Sequence, residues 1–271
     1  MKKIGFVDYY ISEWHANNYP EWIKNAAQKL GAEYEVAYAW AELDLSPVYN
    51  ETTDEWCAKM GVEKCETIAE LCEKSDFIIV LAPSNPEKHL GYAKEVLKYG
   101  KRTYIDKTFA PDLATAQEIF DIANKYNTPF FSSSALRFAS ELEGKENSTA
   151  IMTTGGGSNA PEYIIHQAEM VVKCLGIGAT GVDMENVEGR ITYNVRYADG
   201  RSGQMTYADG MPFTALVTNK QGSTYDMIQS DFFAVLIEEI VKFFEGGQVC
   251  FDTAETLEVM KIREWCVNKL N

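Results

Sequence analysis

Positive charge is scarce in this chain of 271 residues. Lys and Arg number 25 against 40 Asp and Glu, a formal net charge of −15. Binding a phosphate backbone needs a basic stripe and counterion release, so nucleic acid and anionic membrane surfaces are excluded as partners. Cysteine pairs are missing too. The six cysteines include no CxxC and have no histidine at ligand spacing, so no metal site is expected, and reduced thiols in a cytoplasmic protein follow. Long apolar runs are absent, the best being "FIIVLA" at 77–82 and "FFAVLI" at 232–237, far short of a membrane span. Asp8 breaks the first apolar stretch too early for a signal peptide. There is no internal repeat. Glycine is missing where the first strand ends: "VDYYISEW" supplies an acid and aromatics instead.

What is present alternates strand-like runs with helical patterns, the signature of a parallel sheet with crossover helices on both faces. Strands are expected at 3–8, 34–41, 76–83, 102–106 and 128–134, with helices at 21–30, 65–74, 87–99 and 112–126 and an irregular polar stretch at 45–62. The "FIIVLA" run, bounded by Asp76 and Pro83, reads as a central strand buried on both faces. From 180 to 228 the pattern changes to short strands divided by turns, two of them "YADG", which implies an antiparallel open sheet. Helices at 161–176 and 231–245 are expected to cover one face, and the other is solvated or paired in a homo-oligomer. The polar stretch "ELEGKENS" marks a boundary, giving an α/β domain over 1–140 and an α+β domain over 141–271.

In a parallel sheet the ligand sits outside the carboxyl ends of the strands, so the residues after each strand are the ones to inspect. The segment "APSNPEKHLGYAKEVLKYGKRTYIDKT", 82–108, resembles the glucose-fructose oxidoreductase, inositol dehydrogenase and MocA (Gfo/Idh/MocA) family. His89, Gly100 and Lys107 fall at that family's spacing, with Asp106-Lys107-Thr108 where it carries Glu-Lys-Pro. "SALRF", 134–138, resembles its next strand end, and "PEYIIHQAEMVVKCLG", 161–176, its helix with an acid and a histidine four residues apart. Asn85 and His89 have three residues between them where the family has two.

The resemblance implies a Rossmann-like first domain, NAD or NADP as cofactor, and a sugar, polyol or related hydroxyl compound as substrate. It makes His166 the general base that takes a hydroxyl proton while hydride passes to the nicotinamide, and Glu162 its orienting partner one helical turn away. Lys107 would stabilise the developing alkoxide or relay the proton, facing the same cleft as His166. Tyr10, Ser12, Glu42, Ser84, Asn85, His89 and Asp106 are the candidate cofactor contacts. Trp14, His15 and Arg137 are the candidate substrate contacts.

The loop after the first strand departs from the family. A dinucleotide loop uses glycines for its tight turn and for close backbone approach to the pyrophosphate. Here there are none, and an ionised Asp8 would repel phosphate. Either a longer loop still offers N–H groups and Ser12, with the helix starting late near Pro20, or Tyr9, Tyr10, Trp14, His15 and Trp22 line a pocket of another kind. The second option gives a cofactor-independent sugar-binding or regulatory protein on the same fold.

Overall fold

Short apolar runs become strands and the amphipathic segments between them become helices, as the alternation requires. The computed structural model describes residues 1–270. They form two units, one of residues 1–132 with 236–250, the other of 133–235 with the residues from 251 onward. No helix among the described residues is long and apolar enough to cross a membrane.

The first unit runs β1 (Lys2–Asp8), α1 (Trp14–Lys29), β2 (Tyr34–Ala41), α2 (Thr53–Met60), β3 (Glu63–Lys64), α3 (Ile68–Lys74), β4 (Phe77–Val80), α4 (Pro86–Val96), β5 (Thr103–Ile105), α5 (Leu113–Tyr126) and β6 (Phe130–Phe131). The six strands are all parallel, in the order β3-β2-β1-β4-β5-β6. Strand order reverses at β1 and β4, which makes the carboxyl ends of those two strands the switch point. Ile78, Ile79 and Val80 of β4 are fully buried.

Two segments of this unit differ from expectation. The helix expected at 21–30 begins at Trp14, because the Glu13 side chain caps it and Pro20 is tolerated inside. The stretch 45–62 is not wholly irregular: Thr52 and Glu55 form a reciprocal capping box that starts α2, and Gly61, at φ +69°, ends it. Trp56 of α2 is fully buried and donates Nε1–H to Asn17 Oδ1 at 2.8 Å, tying α2 to α1.

The second unit contains β7 (Ala150–Gly155), α6 (Ala160–Leu175), β8 (Ala179–Val187), β9 (Arg190–Tyr197), β10 (Ser202–Tyr207), β11 (Thr214–Asn219) and β12 (Gly222–Met227), followed by α7 (Phe232–Phe244) and α8 (Ala254–Asn268). Its sheet order is β12-β11-β7-β10-β9-β8, antiparallel throughout except for the β7–β10 pair. α6 lies on β7 and β10. Gly203 allows this closeness, since a Cβ there would stand 2.9 Å from Val171 Cγ1. Gln167 of α6 is buried, accepting from Thr153 Oγ1 at 2.8 Å and donating to the Thr206 carbonyl at 3.1 Å.

The helix expected at 231–245 does not cover this sheet. From Leu236 onward it belongs to the first unit, where Phe244 stacks on Phe77 at 4.6 Å, Phe243 meets Phe131 edge-on, and Arg102 donates to the Phe243 carbonyl at 2.8 Å. Its companion on the antiparallel sheet is α8, which packs against α6 and β8.

Candidate active site

Polar residues gather past the carboxyl ends of β1, β2, β4 and β5. At β1 this is Asp8, 1% exposed, whose Oδ1 accepts from the backbone N–H of Tyr9 at 2.7 Å and of Ala82 at 2.9 Å. Its Oδ2 has no hydrogen-bond partner among the described residues. Burial pushes the Asp8 carboxyl well above the usual range, and the negative charge of Glu13 adds to the rise.

The loop then turns into α1. The Glu13 carboxylate accepts the N–H of His15 at 2.8 Å and that of Ala16 at a shorter distance, and also meets His15 Nδ1 at 3.0 Å. Ser12 donates to Glu51 Oε2 at 2.6 Å, while its carbonyl accepts from Ser46 Oγ at 2.6 Å, so the loop is tied to the segment after β2. Trp14 is 43% exposed, edge-on to His15 and Trp22, and Tyr10 packs near Tyr9. Behind them Tyr19 is fully buried, its phenol held far above its ordinary range by burial and then by the charges of Asp106 and Glu13.

Glu42, just past β2, accepts from Lys88 Nζ at 2.5 Å and Tyr92 OH at 2.8 Å. Those partners, Lys88 first, hold its carboxyl below the usual value. Past β4, Ala82 sits at φ +60°, a conformation costing a non-glycine residue about 1 kcal/mol or more. Ser84 is exposed, and Asn85 Nδ2 donates to Glu87 Oε1 at 3.0 Å. His89 is fully buried, with Nε2 2.5 Å from the Leu81 carbonyl and Nδ1 3.0 Å from that of Phe109. Burial lowers its pKa, against the two carbonyls, and the ring stands between two segments of the rim. Past β5, Asp106 is buried, accepting from Tyr104 OH at 2.9 Å and lying 3.7 Å from His15 Nε2. Lys107 follows, half-buried, and donates to the Pro83 carbonyl at 3.2 Å.

The second unit holds the other candidates. Asn159 caps α6 by accepting from the N–H of Glu162 at 2.9 Å. The Glu162 carboxylate in turn accepts from Ser158 Oγ at 3.0 Å and Asn159 Nδ2 at 3.2 Å. One turn along, His166 Nδ1 is 2.6 Å from Ser134 Oγ, and its ring stands edge-on to Tyr163 and Phe213. Ser134 is itself fixed, because Glu169 accepts its backbone N–H at 3.0 Å. Glu169 also takes Arg137 Nε at 2.6 Å, and Arg137 Nη1 reaches Glu255 at 2.7 Å. Arg137 is 3% exposed and stacks on Phe251; burial works against its charge, and Glu169 and Glu255 outweigh it.

The rim of the first unit thus gathers Asp8, Glu13, His15 and Asp106, with Lys107 and Glu42 beside their own strands. The second unit gathers His166, Ser134, Glu169 and Arg137. Sequence reasoning passed over Glu13 and Ser134. The spacing of a G-x-G-x-x-G loop, laid on Asp8 as its first position, falls on Glu13 at its sixth and was the available signal. Glu42 is already paired with Lys88 and Tyr92, and Asp8 and Glu13 do not fit the pyrophosphate of a dinucleotide.

A parallel sheet with a switch point at β1 and β4, continued by an α+β unit, defines a two-unit protein of Rossmann type. Residues 25–133 match the model of an oxidoreductase family with an NAD-binding Rossmann fold, Gfo/Idh/MocA. Among solved structures, UDP-N-acetylglucosamine 3-dehydrogenase GnnA from Acidithiobacillus ferrooxidans is similar at 12% identity and a TM-score of 0.73, over 97% of this chain and 98% of that one. An oxidoreductase from Agrobacterium radiobacter, in complex with NAD+, L-tartaric acid and magnesium, is similar at 12% identity and a TM-score of 0.72, over 97% and 94%. Biliverdin reductase from Synechocystis, with biliverdin and NADP+, is similar at 12% identity and 0.69, over 98% of both chains. No curated protein matches the sequence. The family match spans residues 25–133, and the similar solved structures share the fold over nearly the whole chain.

Proposed function

We propose that the protein is a nicotinamide-dependent oxidoreductase acting on a hydroxyl of a small polar compound, a sugar, polyol or related hydroxy compound. The match of residues 25–133 to an oxidoreductase family with an NAD-binding Rossmann fold supports the reaction class. The sugar-nucleotide and tartrate named for two similar structures support the substrate class. The observation that carries the reading is the His166 imidazole, held at Nδ1 by a serine that is itself held by Glu169. With Nδ1–H donated to Ser134, Nε2 is the basic nitrogen and takes the hydroxyl proton. Glu162, on the same helix, favours the imidazolium that results. The Lys107 ammonium steadies the alkoxide. Titrating the protein with NADH and NADPH, by nicotinamide fluorescence and calorimetry, tests this. Saturable binding supports it, and a folded protein that binds neither at millimolar concentration refutes it.

A second reading keeps the fold without the dinucleotide, as a sugar-binding or regulatory protein. Glu13, seated on the α1 N-terminus, favours it. Thermal stabilisation by a sugar without nucleotide, dependent on Trp14 and surviving Lys107→Ala, is its expected signature.

A further inference from the structure

A Rossmann sheet rests its ligand's pyrophosphate on the N-terminus of the helix after the first strand, where unpaired N–H groups and the helix dipole attract an anion. Glycines at the first, third and sixth loop positions let the phosphates approach the backbone. In this chain those positions, counted from the end of β1, are Asp8, Tyr10 and Glu13. Each alters the seat in its own way. Tyr10, packed near Tyr9, brings a side chain to a position where a glycine would leave none. Asp8 adds a buried carboxylate whose Oδ2 has no hydrogen-bond partner among the described residues. Glu13 does most: its carboxylate, on a residue 5% exposed, takes the N–H groups of both His15 and Ala16, the donors an incoming phosphate would use. An acid here satisfies those donors and matches the dipole as a phosphate does. It is covalently attached, and so present at high effective concentration.

We propose that Glu13 is an internal anion standing in the pyrophosphate's place, and that it opposes dinucleotide binding until it leaves the α1 N-terminus. The location of the seat rests on the nicotinamide reading; the competition is a property of this loop. Family members with glycines have no side chain to displace. This protein does, and its affinity for phosphate-bearing ligands is set by residue 13.

The test is calorimetry of the full chain and of Glu13→Ser, Glu13→Gln and Asp8→Asn/Glu13→Ser with NAD+, NADH, NADP+ and NADPH, using adenosine as a phosphate-free control. Serine keeps a capping oxygen, so α1 retains its start; glutamine keeps the shape without the charge; thermal melts confirm that each variant folds. The expected result is at least about tenfold tighter binding of one dinucleotide to Glu13→Ser, equivalent to about 1.4 kcal/mol, with adenosine affinity unchanged. A gain in Glu13→Ser over a wild type that binds nothing supports the inference while refuting the nicotinamide reading. Tight wild-type binding that the substitutions leave unchanged overturns the inference and leaves that reading standing. No binding by any folded variant, or an equal gain for adenosine, also overturns it.

Discussion

Ser134 Oγ lies 2.6 Å from His166 Nδ1, and the same serine accepts the N–H of Leu136 at 3.3 Å while donating its own N–H to Glu169. The imidazole is therefore oriented through a residue that is itself fixed at two further points, Leu136 and Glu169. With three histidines in the chain, nitrogen NMR resolves each ring. The wild-type His166 is expected to show one dominant tautomer, protonated at Nδ1. Ser134→Ala is expected to give a mixture of both, without altering His89. An unchanged His166 spectrum in Ser134→Ala would remove Ser134 from the account.

Asp8 carries a pH dependence. Its folded pKa is raised by burial and then by Glu13, so the folded protein holds this proton more tightly than the unfolded chain. The sign follows: the carboxyl is neutral for stability below the unfolded value, and becomes a growing penalty as pH rises from there through the folded value. Asp8→Asn keeps an oxygen for Tyr9 and Ala82 and removes the charge. It is expected to stabilise the protein at neutral pH by on the order of 1 kcal/mol, a gain that vanishes below about pH 4. Urea unfolding at several pH values measures it, and a loss of stability at pH 7 would contradict it.

Much of this was legible in the chain. "YEVAYAWA" is the strand it reads as, because alternating and continuous apolar runs bounded by Gly and Asp leave little choice. α2 was hidden in a polar stretch, although Thr52-x-x-Glu55 spells its capping box. The apolar face of α7 shows that it is buried, not which sheet it meets; Phe77 and Phe131, remote in sequence, decide that. Among the candidate site residues, the sequence placed Lys107 at a strand end and His166 on a helix face. It was silent on Glu13, since a glutamate in a loop reads as a solvated charge until the chain folds it onto its own helix.

Arg137 and Glu169 form a buried ion pair, each side chain 4% exposed. Glu169→Ala leaves a guanidinium with one partner in a dry site, and is expected to destabilise the protein by about 3–5 kcal/mol. The double variant Arg137→Met/Glu169→Leu is expected to recover most of that. Equal losses in the single and the double variant would show that packing, not charge pairing, dominates.

The thiols differ sharply in environment. Burial pushes Cys57 and Cys65 up to about 11 and Cys72 and Cys174 up to about 12, leaving almost no thiolate at neutral pH, whereas Cys250 is exposed. One fast-reacting thiol is expected with an aromatic disulfide reagent, abolished by Cys250→Ser. Several fast thiols in the native protein would contradict the burial described here.

The most direct test of the central claim is a crystal structure of Glu13→Ser with NADH, beside wild type treated identically. The account expects the variant's pyrophosphate within hydrogen-bond distance of the His15 and Ala16 N–H groups. Wild type should show Glu13 on those groups wherever the phosphates are missing. An ordered dinucleotide in the wild-type first unit, phosphates on the α1 N-terminus with the Glu13 carboxylate still in place, would contradict it.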